Sequence, residues 1–415
     1  MVEILKILYL GTICDLDDYE RMLDGSKIKP SIAAVIFELG VIRGLSENNA
    51  DTKIISYPMI PYFPKSRVLV FGGHTDFIYS YPCRFLRTIN FPIVKQWIRR
   101  VDARHILKKW AEENRGKGII LSYSIPPFLV KDVLHYAKQY NLKIVAIVPD
   151  LLENMYINHR GNCVINFIRQ RYLSKALSSQ SSYDGYVYLT EPMREKVSCE
   201  KPYMVMEGIL NKDDFSDEVK VQSSCRGIMY AGCMHEKYGV INLVEAFQQL
   251  RDLDAELWLF GEGTASEEIQ ERAQKDNRIK YFGRVNREVV LEYEKKATLL
   301  VNPRSVQEEF TKYSFPSKTI EYMASGTALL TTRLEGIPKE YFNYVFSVED
   351  NDVELLKKAI GKIFLLSDQE LILKGENARI FVLEQKNAKV QVARIIGFLK
   401  SLLEEDHEID DKEQI

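Results

Sequence analysis

The residues best suited to chemistry lie close together, in the stretch Glu309-Phe310-Thr311-Lys312-Tyr313-Ser314-Phe315-Pro316-Ser317-Lys318-Thr319-Ile320-Glu321-Tyr322-Met323-Ala324-Ser325-Gly326. Proline is tolerated at the first position of a helix, so Pro316 marks a start and puts Ser317 and Lys318 in the first turn. Unpaired backbone N–H groups and the positive end of the helix dipole favour a phosphate there. A lysine alone at that end is slightly unfavourable, so Lys318 points to an anion that arrives with a ligand. Glu321 falls one turn along on the Ser317 face, where a carboxylate can accept two hydroxyl hydrogen bonds of the kind a ribose offers. Gly326 then supplies a left-handed helix end.

These residues need strands and helices to hold them. A chain of 415 residues is too long for one ordinary core, which predicts two domains. Short apolar runs alternate with helix-like segments, the pattern of parallel sheets with crossover helices. Strands are expected at 4–10, 53–57, 68–71, 118–123, 143–149 and 185–190, with helices at 31–45, 93–114, 128–140 and 165–178. After a polar stretch at Asn211–Ser224, expected to be the interdomain linker, the pattern restarts. Strands follow at 227–230, 256–260, 279–282, 298–301 and 328–331, with helices at 240–250, 267–275, 287–295 and 317–324. The resulting division is 1–213, 225–384, a helix at 385–404 that could cross back to the first domain, and an acidic, solvated tail at 405–415. Two such domains in series predict a cleft, with ligands beyond the carboxyl ends of strands.

Other readings are narrowed by composition. The formal net charge is −2 and no RNA- or DNA-binding module is present, so nucleic acid is not an expected partner. The six cysteines are scattered, without a CxxC pair or HExxH, which suits reduced cytoplasmic thiols and no metal site. His235 reads as a loop histidine. Asp15-Leu16-Asp17 lies in the loop after the first strand, away from the segment Glu309–Gly326, so no metal is expected in catalysis. The N-terminus, broken by Glu3 and Lys6, reads as a strand and not a signal peptide, and no run reaches the length of a membrane span. From Arg84 to Lys117 basic residues interleave with Phe85, Phe91, Trp97 and Trp110. A helix there places Val94, Trp97, Ile98 and Val101 on one face, with Lys95, Arg99 and Arg100 elsewhere. Two roles are open for it: a helix that meets anionic lipid, or a sheet-covering helix whose basic side faces water.

The motif Glu321-Tyr322-Met323-Ala324-Ser325-Gly326, with Phe315-Pro316-Ser317-Lys318 before it, resembles the donor site of retaining family 4 glycosyltransferases of GT-B fold, in the branch that assembles bacterial surface polysaccharides. Tyr230-Ala231-Gly232, Lys237-Tyr238-Gly239, Gly261-Glu262-Gly263 and Phe282-Gly283-Arg284-Val285 follow in the family's order. Two departures stand out. Tyr313 occupies the position of the family's first Glu, and Glu309 is the nearest replacement. Cys233 occupies the position of a phosphate-binding Arg, and Lys237 stands one residue beyond the family's lysine. The resemblance implies two Rossmann-like domains facing across a cleft, and transfer of a sugar from a nucleotide diphosphate sugar, a UDP sugar, to a glycan or lipid-linked glycan. The nucleotide sugar is a co-substrate and no cofactor is implied. Donor binding would fall to Gly11, Gly232, Lys237, Gly283, Arg284, Val285, Tyr313, Ser314, Phe315, Ser317, Lys318 and Glu321. Catalysis would involve Asp150, Glu309 and Lys318, with Asp150 orienting acceptor or sugar at a strand end. A UDP-sugar 2-epimerase and a non-catalytic subunit supporting a partner transferase are the alternatives.

Overall fold

Apolar runs that must be covered on both faces read as continuous hydrophobic strands, and those of the first half assemble into one sheet. The computed structural model describes residues 4–413 apart from 15–18, 20–21, 23–25, 27–31, 93, 125, 152–162, 213–214 and 216–225. It divides into two units, Met1–Ile209 with Ala388–Ile415, and Leu210–Asn387.

The first unit contains β1 (Lys6–Gly11), β2 (Asp51–Ser56), β3 (Val70–Phe71), β4 (His74–Ile78), β5 (Tyr81–Phe85), β6 (Thr88–Ile89), β7 (Gly118–Tyr123), β8 (Lys143–Val148), β9 (Gly185–Tyr188) and β10 (Tyr203–Val205). Its helices are α1 (Ile32–Glu47), α2 (Val94–Glu113), α3 (Val130–Tyr140), α4 (Cys163–Ser178) and α5 (Met193–Val197). The sheet order is β10-β9-β8-β7-β1-β2-β5-β4, and among these pairs only β4–β5 is antiparallel. β3 and β6 form a separate antiparallel pair. Ile7, Leu8, Tyr9 and Leu10 of β1 are fully buried, as a central strand covered on both faces requires.

The second unit contains β11 (Gly227–Ala231), β12 (Glu256–Phe260), β13 (Ile279–Gly283), β14 (Leu299–Asn302), β15 (Ala328–Thr332) and β16 (Phe346–Val348), ordered β13-β12-β11-β14-β15-β16 and all parallel. Its helices are α6 (Val240–Gln249), α7 (Ser266–Lys275), α8 (Arg287–Lys296), α9 (Lys318–Ala324), α10 (Val353–Phe364) and α11 (Asp368–Gln385). The last helix, α12 (Ala388–Glu413), belongs to the first unit. Its Val392 lies 2.4 Å from where a side chain on Gly44 of α1 would begin. Val392, Ile395 and Leu399 share a core with Val41, Ile42 and Leu45.

In each sheet the chain leaves two neighbouring strands in opposite directions, at β1/β7 and at β11/β14. Such switch points open a crevice beyond the strand ends, the usual ligand position in these sheets.

Several expectations are corrected. The stretch 405–413, expected to be a frayed tail, continues α12 to Glu413. β4, β5, β10, β16, α10 and α11 were not anticipated. The polar linker falls almost wholly outside the described residues. On α2 the sheet-covering reading, with its basic side in water, is corrected: Val94, Trp97 and Val101 are exposed at 42%, 66% and 54%, while Lys95 and Arg99 are buried. The lysine ammonium donates to the Ile60 carbonyl. The guanidinium donates to Thr88 Oγ1 at 2.8 Å and the Pro58 carbonyl at 2.8 Å. These two side chains brace the loop after β2 from inside. Burial lowers the Lys95 pKa to about 6, with Arg99 adding to it.

Candidate active site

The β11/β14 end of the second unit is built on close backbone approach. Gly232 donates its N–H to the Phe260 carbonyl at 2.9 Å, and Met234 donates to Glu262 at 3.0 Å. Gly261, at φ +131°, faces Gly232 so closely that a Cβ would sit 1.8 Å from the Gly232 carbonyl oxygen. Only glycine fits there, so the loops after β11 and β12 form one layer. Gly261 also donates to the Gly283 carbonyl at 2.8 Å, which brings the third loop alongside.

α9 is set against this layer by Tyr322. Its buried hydroxyl accepts from the Ala231 N–H at 2.7 Å and donates to the Ala231 carbonyl at 3.1 Å. On another side of α9 four charged residues meet. Lys318 pairs with Glu321 and lies 3.6 Å from Glu294, while Arg287 is 3.3 Å from Glu321. Glu294 is fully buried beside Glu321. Burial pushes its carboxyl well above the usual carboxylate range and the Glu321 charge adds to this, with Lys318 and Arg287 partly offsetting both. For Glu321, burial alone would raise the pKa, but Lys318 and Arg287 outweigh it and hold it low. Lys318 thus faces two acidic side chains, Glu321 and Glu294, without any ligand present.

The structure distributes the remaining candidates unevenly. Ser317 is exposed at the start of α9 and caps nothing with its side chain. Tyr313 and Phe315 are buried, with Phe315 against Tyr341 at 5.6 Å between ring centroids, and Ser314 between them is half-buried. Glu309 is exposed and opens a short 3-10 turn through Lys312. Next to it, the Phe310 ring meets Tyr238 edge-on at 5.7 Å. Lys237 lies 5.2 Å from the Phe310 ring and 5.3 Å from Tyr238, so the structure brings Lys237 beside the Glu309 turn. After Gly283, Arg284 is exposed and Val285 packs on the core. Gly11 and Asp150 belong to the first unit, at the ends of β1 and β8. Asp150 accepts from the Leu151 N–H at 2.7 Å. Gly11 is crowded by Glu38, whose buried carboxylate accepts from the Thr12 N–H at 2.9 Å and the Tyr9 hydroxyl at 3.1 Å.

Sequence reasoning passed over Glu38, Arg287, Glu294, Tyr322 and Arg304. For one pair a signal existed: Arg287 and Glu294, seven residues apart on a helix, share a face. Among the described residues no group of three or more His, Cys, Asp or Glu could hold a metal ion. Nor is any helix among them long and apolar enough to cross a membrane.

Residues 225–365 match the family described as Glycosyl transferases group 1. The fold of the chain is GT-B, as in solved structures that align over nearly its whole length. Sucrose-phosphate synthase from Thermosynechococcus elongatus superposes with a TM-score of 0.63 at 16% identity, over 96% of this chain and 99% of that one. HepE from Anabaena, in complex with UDP, gives 0.60 at 10% identity over 96% and 100%. The E. coli trehalose-6-phosphate structure bound with UDP-2-fluoro glucose gives 0.59 at 9% over 95% and 99%. A comparison with curated protein sequences found no match.

Proposed function

We propose that this chain transfers a sugar from a UDP sugar to a glycan or lipid-linked glycan with retained anomeric configuration, in the synthesis of a surface polysaccharide. The observation that carries the reading is the half-buried Glu321 carboxylate, kept ionised by Lys318 and Arg287 on a helix pinned to the loop at Gly232. A fixed acceptor of that kind suits a ribose diol. The nucleotides bound in the HepE and E. coli structures support the choice of uridine.

In this reading the base rests on the backbone of Gly283, Arg284 and Val285, and Tyr313 to Phe315 shape the wall beside the sugar. Glu309 meets the donor sugar, and Asp150 orients the acceptor. Negative charge building on the departing diphosphate is stabilised by Lys237, Lys318 and Ser317 without a metal. The leaving phosphate takes the acceptor proton, so no strong protein base is needed. Peripheral contact with an anionic membrane belongs to the same proposal, since α2 turns Val94, Trp97 and Val101 to solvent.

Titration calorimetry with UDP and uridine tests the donor assignment. Glu321→Ala should weaken both ligands about 30- to 150-fold, the effect of losing roughly 2–3 kcal/mol of charge-assisted hydrogen bonding. Wild-type affinity for UDP in a folded Glu321→Ala protein, or turnover that EDTA abolishes and manganese restores, overturns the reading.

A further inference from the structure

Arg304 follows β14, on the opposite side of the switch point from the loop after β11. Its backbone is held in place from several directions. The Thr332 hydroxyl donates to its carbonyl at 2.6 Å, and Asp350 accepts from the Val306 N–H at 3.1 Å. From below, Gly239 at φ +78° presses on Pro303, where a Cβ would come within 1.7 Å of the Pro303 oxygen. This approach lays the Arg304 guanidinium over the Tyr238 ring, 5.1 Å from its centroid. Lys237 reaches the same ring, and both cations act on the Cys233 thiol, whose burial raises its pKa while Lys237 and Arg304 pull it back.

These two cations differ from four arginines of the same unit. Arg226, Arg272, Arg278 and Arg287 each face a carboxylate within 3.5 Å. Among the described residues Arg304 and Lys237 have none, and the guanidinium makes no hydrogen bond. Its titratable neighbours are the phenols of Tyr230, Tyr238 and Tyr322 and the Cys233 thiol, and burial lowers its pKa. Two like charges, one of them half-buried, gathered at one ring without a counterion are stable only at a cost that a bound anion removes. A guanidinium fork beside an ammonium matches adjacent phosphoryl groups, one bidentate and one as a point charge.

We infer that Arg304, delivered from the end of β14 and assisted by Lys237, is the principal diphosphate-binding residue of this site. The inference rests on the nucleotide-sugar reading above, and it moves the main anion contact from Lys318, which is already paired, to Arg304.

Calorimetry with uridine, UDP and inorganic pyrophosphate on wild type, Arg304→Gln, Arg304→Lys and Lys237→Ala tests it. Arg304→Gln should lose about 10- to 150-fold in UDP affinity, the range of a charge-assisted hydrogen bond, and leave uridine unchanged. Arg304→Lys, which keeps the charge without the fork, should fall between, and Lys237→Ala should lose only about 3-fold because that side chain is exposed. The ligand-free melting temperature of Arg304→Gln should match or exceed wild type, whereas a structural arginine would lower it. An unchanged ratio of UDP to uridine affinity in Arg304→Gln overturns the inference and leaves the donor reading standing. Pyrophosphate binding that depends on Arg304 in a protein that binds neither uridine nor UDP upholds the anion site and removes the nucleotide. Absence of binding by all three ligands overturns both.

Discussion

The two switch points share a topology and have opposite electrostatics. At β1/β7 a buried carboxyl, Glu38, fills the place where a ligand could approach Gly11, and the Thr12 N–H is spent on it. At β11/β14 two cations stand without carboxylates among the described residues, and the loop N–H groups of Gly232 and Met234 are tied to neighbouring strand ends. One end satisfies itself, and the other, on the inference above, is completed by an anion. Topology supplies the crevice in both, and in that inference the uncompensated charge selects the one that binds phosphate.

The strongest way to break this contrast is through Glu38. Burial raises its pKa from 4.5 to about 8, with the Thr12 and Tyr9 hydrogen bonds partly offsetting this. The folded protein therefore holds a proton that the unfolded chain releases. This contribution is complete below about pH 4.5 and is lost as pH rises through about 8. Glu38→Gln keeps a neutral side chain at every pH, so it should exceed wild type by roughly 4 kcal/mol at pH 9 and match it near pH 4. Urea unfolding at the two pH values measures this; parallel behaviour of the two proteins would show that Glu38 is ionised in the fold.

Gly239→Ala tests the other end. A side chain there must adopt φ +78° against the Pro303 carbonyl, costing about 3 kcal/mol. UDP affinity should fall along with the urea midpoint, since Pro303 and Arg304 have to shift. Full UDP affinity in this variant would mean that the β14 turn does not form the anion site.

A smaller effect sharpens the difference between paired and unpaired cations. Lys318→Met leaves Glu321 with only Arg287 as a basic partner and should cost about 2 kcal/mol of stability, measured from the urea midpoint at constant m. Arg304→Gln should cost nothing. Equal losses in the two variants would remove the distinction.

Much of the frame was legible because it depends on local pattern. β7 runs over the predicted Gly118–Tyr123, and α8 over Arg287–Lys296, since a buried parallel strand and an amphipathic helix both announce themselves within a few residues. β5 was missed because Pro82 and Arg84 interrupt its apolar run, and only half of it is buried. α10 does carry a helical signal, with Leu356, Ile360, Ile363 and Phe364 buried on one side. The orientation of α2 was not legible. Lys95 and Arg99 point inward because carbonyls of Pro58 and Ile60, some 35 to 41 residues away, are there to receive them.

The sequence alone determined that this chain forms parallel sheets with crossover helices and where its glycines and prolines stop and start elements, and it pointed to the segment from Glu309 to Gly326 for the chemistry. Those properties follow from spacing along the chain. Only the tertiary structure decided which charges are already answered. Lys318 and Arg304 look equally available in the sequence, but α8 brings Glu294 and Arg287 to the Lys318–Glu321 pair, and among the described residues no carboxylate pairs with Arg304. Coulomb energy depends on distance in space, and residues far apart in sequence set that distance.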